Sequence, residues 1–421
     1  MLERYFVKPA TVDRIRKAWL GDPIERYVNW LAALGYAPRN VHRRVPLLMH
    51  FAEFSWAHGA RQWEELPRHV DAFVTDWCLT HGKHRRGKRA KQQVAVEASN
   101  PIWQMLEVIL PGCKTHRRAA WPEPFAQQAP AFWRYLGEER GLRPTSIALY
   151  RHNLRRFENY LQSIGLLDLH ALSPAVLSSF VVTAGRALTK EALSGLCSHL
   201  RVLLCYLYRE QLIATDLSGS VDRPRVYRLS KIPRSIGWED IPSLLAAVER
   251  RTPVGKRDYA ILLLLITYGL RAREVATLTL DAIDWKDERL RVPERKAGHS
   301  TAFPLSTVVG EAIVDYLRHG RPQSDQRVLF LCTTPPHGPV NWQVISQRAT
   351  HYLRKANIEV HRPGSHSLRH TCVQRLVDAH FSLKEIGDYV GHRHAQSTAV
   401  YAKLDLEALR AVADSEGEHI L

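Results

Sequence analysis

Residues 364–376 read GSHSLRHTCVQRL, and the duty assigned to their cationic side chains decides what kind of protein this is. His366 and His370 are four apart, about one helical turn, so a helix would set both imidazoles on one face where they could grip a metal. No third ligand follows at a convincing spacing, and no acidic helper accompanies them. Arg369 stands between them, three residues after His366 and therefore on the same helical face. A planar guanidinium suits phosphate oxygens, because it donates two parallel hydrogen bonds where a lysine offers a point charge.

Working outward, the composition agrees with an anionic partner. The 421 residues carry a formal net charge of +17 and a pI near 9.8, with an ordinary 45% of hydrophobic residues. Such an excess of cations points to nucleic acid, although a ribosomal or membrane-surface protein could share it. The opening MLERYFVKPATVDR has charges where a signal sequence needs an apolar run. The longest apolar run, YAILLLLITYGL (259–270), is too short to cross a bilayer and reads as a buried helix. The six cysteines show no CxxC spacing and look like reduced, cytosolic residues.

Two upstream blocks resemble each other. Laying Gly35 on Gly141 brings Pro38 onto Pro144, Val41 onto Ile147, Leu48 onto Leu154, Phe51 onto Phe157, Phe54 onto Tyr160 and Gly59 onto Gly165. LPRHVDAFV (66–74) then falls on LSPAVLSSF (172–180). Each copy predicts a helix, a Gly-x-x-Pro break and a second amphipathic helix. The organisation expected is an N-terminal helical domain over 1–120, a helical domain over 121–217, a basic linker over 218–237 and a C-terminal domain over 238–421. Residues 81–91, HGKHRRGKRAK, contain no acid and read either as a solvated linker or as a phosphate-facing surface. Residues 218–235 mix prolines with cations and predict an extended linker able to follow a phosphate backbone. After Trp238 the pattern predicts helices at 238–250 and 256–270, and a β-hairpin or small sheet across 281–306 around the turn KAGHS. Short helices are then predicted at 306–319, 341–356, 366–379, 383–390 and 396–402.

Within that C-terminal region Arg271 follows a buried helix and a glycine in YGLRAREVATL. Alone it would read as a structural ion pair with Glu274; with Arg369 it suggests a clamp on one phosphodiester. Lys296 in ERKAGHS places an ammonium donor in the hairpin turn, and His392 in VGHRH adds another donor. Tyr401, nine residues beyond, has a phenol that nearby cations would help to ionise for attack on phosphorus.

This ordered set resembles the tyrosine recombinase, or phage integrase, family. YGLRAREV is similar to the family's T-G-L-R-x-x-E box, with tyrosine in place of threonine. RKAGHSTAFPL is similar to its lysine hairpin, HSLRH to its H-x-L-R-H box, and Val390-Gly391-His392 to its L-G-H motif, with Tyr401 at the nucleophile position. The resemblance to the catalytic domain spans about 238–410, and FWRYLGEERGLRPTSIALYRHNLRRFENYL is similar to the helical core-binding domain.

The resemblance implies a mainly α protein with a small antiparallel β-sheet in the catalytic domain, helical N-terminal DNA-binding domains and a C-shaped clamp around DNA. It implies a catalytic set of Arg271, Lys296, His366, Arg369, His392 and the nucleophile Tyr401, and a 3′-phosphotyrosyl intermediate without metal or cofactor. The N-terminal block has two open readings, a second core-binding-type domain or an arm-site-binding domain. DNA contacts are expected from Arg85, Arg86, Lys88, Arg89, Arg143, Arg151, Arg223, Arg225, Arg228 and Lys231. The implied partners are double-stranded DNA with inverted recombination sites and a homotetramer, one dimer per site, with paralogous recombinases or accessory proteins as further partners and no membrane. The implied location is the cytoplasm, on the nucleoid when bound. A topoisomerase-like enzyme and a non-catalytic DNA-binding protein on the same scaffold are the competing readings. The tail LDLEALRAVADSEGEHIL reads as a short amphipathic helix with an acidic end, docking either on its own domain or on a neighbour.

Overall fold

The computed structural model describes residues 1–81, 88–110, 112–113, 122–166, 168–226, 235–293 and 300–391. The chain divides into two compact units, one of Met1–Thr115 with Lys231–Leu421 and one of His116–Ser230. The architecture is mainly helical with one small antiparallel sheet.

The N-terminal segment is all helix: α1 (Pro9–Lys17), α2 (Gly21–Ala33), α3 (Pro38–Ala57), α4 (Leu66–His81) and α5 (Lys88–Ile109). Its core draws Tyr27, Val28 and Leu31 from α2, Leu48 and Phe51 from α3, Phe73 from α4 and Ile102 and Leu106 from α5. The second unit contains α6 (Phe132–Glu138), α7 (Pro144–Ser163), α8 (Pro174–Gly185) and α9 (Lys190–Arg209) around Phe132, Leu154, Phe157, Phe180 and Leu200. Helices α3 and α7 both start with proline at the first helical position, where a missing N–H costs nothing. Both end on a glycine in the left-handed region, Gly59 (φ +92°) and Gly165 (φ +72°), which lets the chain reverse and satisfy the last carbonyls. The closing bonds correspond: Ala60 N donates to Ser55 O and Leu166 N to Leu161 O, each at 3.0 Å.

The expected linker departs from an extended course at its start. Ser218–Ser220 form a 3-10 turn, Val221 is fully buried, and Arg201 on α9 donates to Val221 O at 2.7 and 3.1 Å. A valine among the cations is apolar enough to be drawn back onto α9.

The C-terminal segment contains α10 (Ile241–Ala246), α11 (Pro253–Thr267), α12 (Ala272–Thr277), β1 (Ile283–Asp284), β2 (Arg289–Val292), β3 (Thr301–Pro304), α13 (Thr307–His319), α14 (Trp342–Lys355), α15 (Ser365–Asp378) and α16 (Leu383–Val390). Every residue of Ala260–Ile266 is buried, because α11 is packed by α12, α13, α14 and α15. A helix apolar on all sides needs such a central position. The strands run β1-β2-β3, antiparallel, with Val292 paired to Thr301 at the base of the hairpin. Leu290, Val292 and Phe303 face the core while Arg289, Arg291 and Ala302 face out, the period of two that the sequence predicts. The expected helix at 238–250 is shorter, a 3-10 turn followed by α10. The expected helix at 396–402, the turn KAGHS apart from Ser300, and the tail lie outside the described residues. No helix among the described residues is long and apolar enough to cross a membrane.

One buried ionic network locks α11 to α14. Asp258, with no exposure, accepts from Arg257 Nε and Nη2 (3.0 and 2.8 Å), Arg348 Nε (2.6 Å) and Tyr352 OH (3.0 Å). Removing the carboxylate would strand the Arg257 guanidinium inside the core. Asp258→Ala is expected to destabilise the protein by about 3–5 kcal/mol, the usual cost of breaking a buried pair from one side. A urea midpoint unchanged from the parent would show that the network carries no such weight.

Candidate active site

The site begins where α11 ends. Gly269 adopts φ +58°, and a Cβ there would lie 3.1 Å from Cys372 Sγ and 3.2 Å from Val390 Cγ1. That turn aims Arg271 back across the start of α12. Glu274, buried, accepts from Arg271 N (2.8 Å) and Nη1 (2.7 Å), so one carboxylate caps the helix and orients the guanidinium. The ion pair with Glu274 is present, and Arg271 Nη2 still reaches Gly391 O at 2.9 Å.

Arg369 arrives from α15 and is buried. Its Nη1 donates to Gly269 O and its Nη2 to Val390 O at 2.7 Å. The two arginines therefore hold consecutive carbonyls, Val390 and Gly391, at the end of α16. Gly391 closes α16 in the left-handed region, and the next residue in the chain is His392.

His366 sits one turn before Arg369 on α15. Burial first, then the Arg369 and Arg271 guanidinium groups, push its pKa below the ordinary histidine value. These surroundings favour the neutral imidazole, the form that can accept a proton. The His370 ring lies 6.3 Å from that of His366, centroid to centroid.

Three further side chains shape this corner. Cys372 is buried beneath Gly269, its thiol donates to Thr267 O at 3.5 Å, and burial pushes its pKa up to about 12. Tyr268 replaces the threonine of the motif, and its OH donates to Pro304 O (3.0 Å) and accepts from Ser306 N (2.8 Å). Its ring packs on Phe303, so the turn carrying Arg271 is tied directly to the last strand of the hairpin. Tyr389 donates to Thr267 O at 3.0 Å and meets Phe303 edge-on, fixing α16 against the same strand.

Comparison with known proteins places this arrangement. The phage integrase family profile matches residues 235–407, and the profile of the phage integrase N-terminal SAM-like domain matches 130–211. The sequence y4rA of Sinorhizobium fredii, named for an integrase or recombinase, is 38% identical over 296 residues, 69% of this chain and 71% of that protein. Tyrosine recombinase XerD of Pseudomonas putida is 30% identical over 286 residues, 65% of this chain and 92% of that protein. The chain belongs to the phage integrase family of tyrosine recombinases. Among solved structures, XerH site-specific recombinase in a post-cleavage complex with its palindromic difH substrate shares the fold, with a TM-score of 0.55 at 16% identity over 65% of this chain and 80% of that one.

Of the six residues expected to form the recombinase centre, Arg271, His366 and Arg369 converge as described. Lys296, His392 and Tyr401 lie outside the described residues, although Val292 and Thr301 bracket the first and Gly391 leads into the second. Of the expected DNA contacts, Arg143 is exposed at the cap of α7, and Arg225 is exposed. Arg151 is engaged with Glu123 at 2.5 and 3.0 Å, and Arg223 donates to Ser194 Oγ at 3.2 Å, so both are partly committed to the fold. Lys88 and Arg89 open α5, while Arg85, Arg86, Arg228 and Lys231 lie outside the described residues. Sequence reasoning passes over Cys372 and Tyr389, and notes Tyr268 only as a departure from the motif. The small residue at 269 is a usable signal, since a backbone so close to α15 and α16 leaves no room for a side chain.

Gly269→Ala is expected to lose on the order of 1–2 kcal/mol from the left-handed backbone alone. The loss grows through the contacts with Cys372 and Val390, and it should appear as a lowered urea midpoint; equal midpoints would refute the close approach. In NMR titrations of the DNA-free protein, His366 should have a midpoint below about 6.5. In Arg271→Ala that midpoint should rise but stay below the ordinary value, because burial, the larger cause, remains. A midpoint unmoved by the substitution would separate Arg271 from His366.

Proposed function

We propose that the protein is a site-specific DNA recombinase that cuts and rejoins strands through a 3′-phosphotyrosyl link on Tyr401. The observation that carries this reading is the meeting of two guanidinium groups on the carbonyls that end α16, one residue before His392, with His366 one turn from Arg369 on α15. XerH was captured with its palindromic difH substrate after cleavage, and the Tn1549 transposon integrase, which shares the fold, in complex with transposon right end DNA, which supports DNA as the substrate.

In the proposed step the Tyr401 phenolic oxygen attacks the scissile phosphorus, and the phenolic proton passes to the neutral His366. The bond from phosphorus to the 5′ oxygen breaks, and Lys296 protonates the departing oxygen as general acid. Arg271 and Arg369 donate to the non-bridging oxygens, and His392 adds a hydrogen bond as charge builds in the transition state. Each guanidinium is already held by carbonyls, so little reorganisation is needed when the phosphate arrives. A 5′ hydroxyl of a partner duplex then attacks the phosphotyrosyl link, so strands exchange through a Holliday junction. Four protomers acting on inverted sites, a dimer on each, would supply the four cleavages, and integration or transposition of a mobile element is the setting this chemistry serves.

The test is a nicked suicide duplex carrying the native element end. The parent protein is expected to form a covalent protein–DNA adduct that survives EDTA, and Tyr401→Phe to form none. An adduct that requires metal, or that persists with phenylalanine at 401, overturns the mechanism.

A further inference from the structure

The family profile for the SAM-like domain covers 130–211 and leaves the N-terminal segment without a role. We infer that residues 2–109 are a second copy of that helical module, and that it binds the phosphate backbone of duplex DNA through the face formed by α3 and the groove between α3, α4 and α5. The inference rests on DNA being the substrate, as proposed above, and adds a second contact to it.

The first support is a repeat of structure rather than of residues. Helices α3 and α7 begin and end at corresponding positions, Pro38 with Pro144 and Ala57 with Ser163. The preceding helices bury Tyr27, Val28 and Leu31 in one copy and Phe132, Trp133 and Leu136 in the other, at one constant offset, and Ile24 of α2 matches the buried Ala129, which lies just before the shorter α6. The last helices bury Ala98, Ile102, Met105, Leu106 and Ile109 against Leu196, Leu200, Leu203, Leu204 and Leu207, again at a constant offset. In the third pair, Val70 and Phe73 match Leu177 and Phe180, and Pro67 matches Pro174. This is one residue beyond the alignment expected from LPRHVDAFV, because Ser173 is inserted as the cap of α8. A four-helix frame with the same buried positions, in the same order, is hard to reach by chance packing of amphipathic hairpins.

The second support is charge. Residues 35–51 hold Arg39, Arg43 and Arg44 with no acid, and the matching residues 141–157 hold Arg143, Arg151, Arg155 and Arg156 with no acid. Both copies thus keep a cationic, acid-free run on the same helix, although the individual residues differ. In the N-terminal copy Arg39, His42, Arg43 and His50 are exposed along α3 at helical spacing. His42, Arg43 and His50 border a groove of about 530 Å³ that also takes in Trp77, His81 and Asn100, and Arg39 lies on the same helix one turn before Arg43. The one acid in its lining, Glu97, is paired with Arg43 at 2.6 Å. Arg44 has a different duty, since it donates to Tyr27 OH (2.7 Å) and Gln104 Oε1 (2.8 Å) inside the module. A strand of phosphates fits such a surface, and interactions of this kind add affinity without reading sequence.

The experiment compares full-length Tyr401→Phe with Tyr401→Phe carrying Arg39→Ala and Arg43→Ala, on a long duplex that extends past the native element end. Each arginine–phosphate pair removed should lower the slope of log affinity against log salt by about 0.9, so the double substitution should lower it by about 0.9 if Arg43 stays with Glu97 and by about 1.8 if Arg43 turns to a phosphate. Weaker binding with that change of slope supports the inference. An unchanged slope and affinity overturn it, and so does a loss confined to binding of polyglutamate, which would assign the face to an acidic protein. If the substituted protein melts earlier than its parent, labelling of the unsubstituted chain with phenylglyoxal decides. Protection of Arg39 and Arg43 by the duplex supports the module, and equal labelling with and without duplex overturns it. Adduct formation by the unsubstituted chain on a short core duplex is read in parallel. An adduct with an unchanged slope removes this inference alone, whereas a lowered slope without an adduct removes the strand-exchange chemistry and leaves the binding module standing.

Discussion

The candidate site depends on two arginines holding two neighbouring carbonyls. Arg369 reaches Val390 O and Arg271 reaches Gly391 O, and a third carbonyl, Gly269 O, accepts from Arg369. A guanidinium has five donors, so it can be fixed by the fold and still present N–H groups to a ligand. The cost is that two like charges are brought together near a buried face. Glu274 offsets part of it, and the carbonyl dipoles at the end of α16 offset more. A phosphodiester would complete the balance, which makes the site strongest toward an anion with several oxygens.

Around that corner the fold acts as a positioning device. Helix α11 is buried on all sides and therefore cannot tilt without disturbing α12 to α15. The turn after it is tied to β3 by the Tyr268 hydroxyl and to α16 by Tyr389, while Asp258 joins the helix to Arg348 and Tyr352 on α14. The hairpin and the α16 terminus, from which Lys296 and His392 follow in the chain, thus share one support. Close packing at Gly269 has the same effect, since the backbone there touches α15 and α16 with no side chain between.

Much of this is legible in the sequence because periodicity and punctuation act locally. The hairpin strands follow from alternation over 289–304, and α16 falls at 383–390 between Ser382 at its cap and Gly391 at its end. The Gly and Pro pattern locates α3 and α7, because left-handed glycines and first-turn prolines depend on neighbouring residues only. The shift of one residue in α8 is not legible, since a single inserted cap leaves the apolar pattern nearly unchanged. Val221 is hidden in the same way: amid prolines and cations it reads as linker, and only the packed core of the second unit supplies the surface that buries it.

The sequence by itself determined which residue types belong together: two arginines, two histidines, a lysine and a tyrosine in an order that resembles one family. It also determined the anionic character of the partner, because net charge is a sum over residues and needs no fold. Only the tertiary structure decided how Arg271 and Arg369 meet. They are almost a hundred positions apart, and their shared anchors on α16 arise from packing of α11, α15 and α16 that no local pattern encodes. It likewise decided that His366 titrates below the ordinary histidine value, since the shift comes from burial and from cations brought close in space. GSHSLRH shows a helical face with three candidate ligands; the carbonyls opposite that face make Arg369 its pivot.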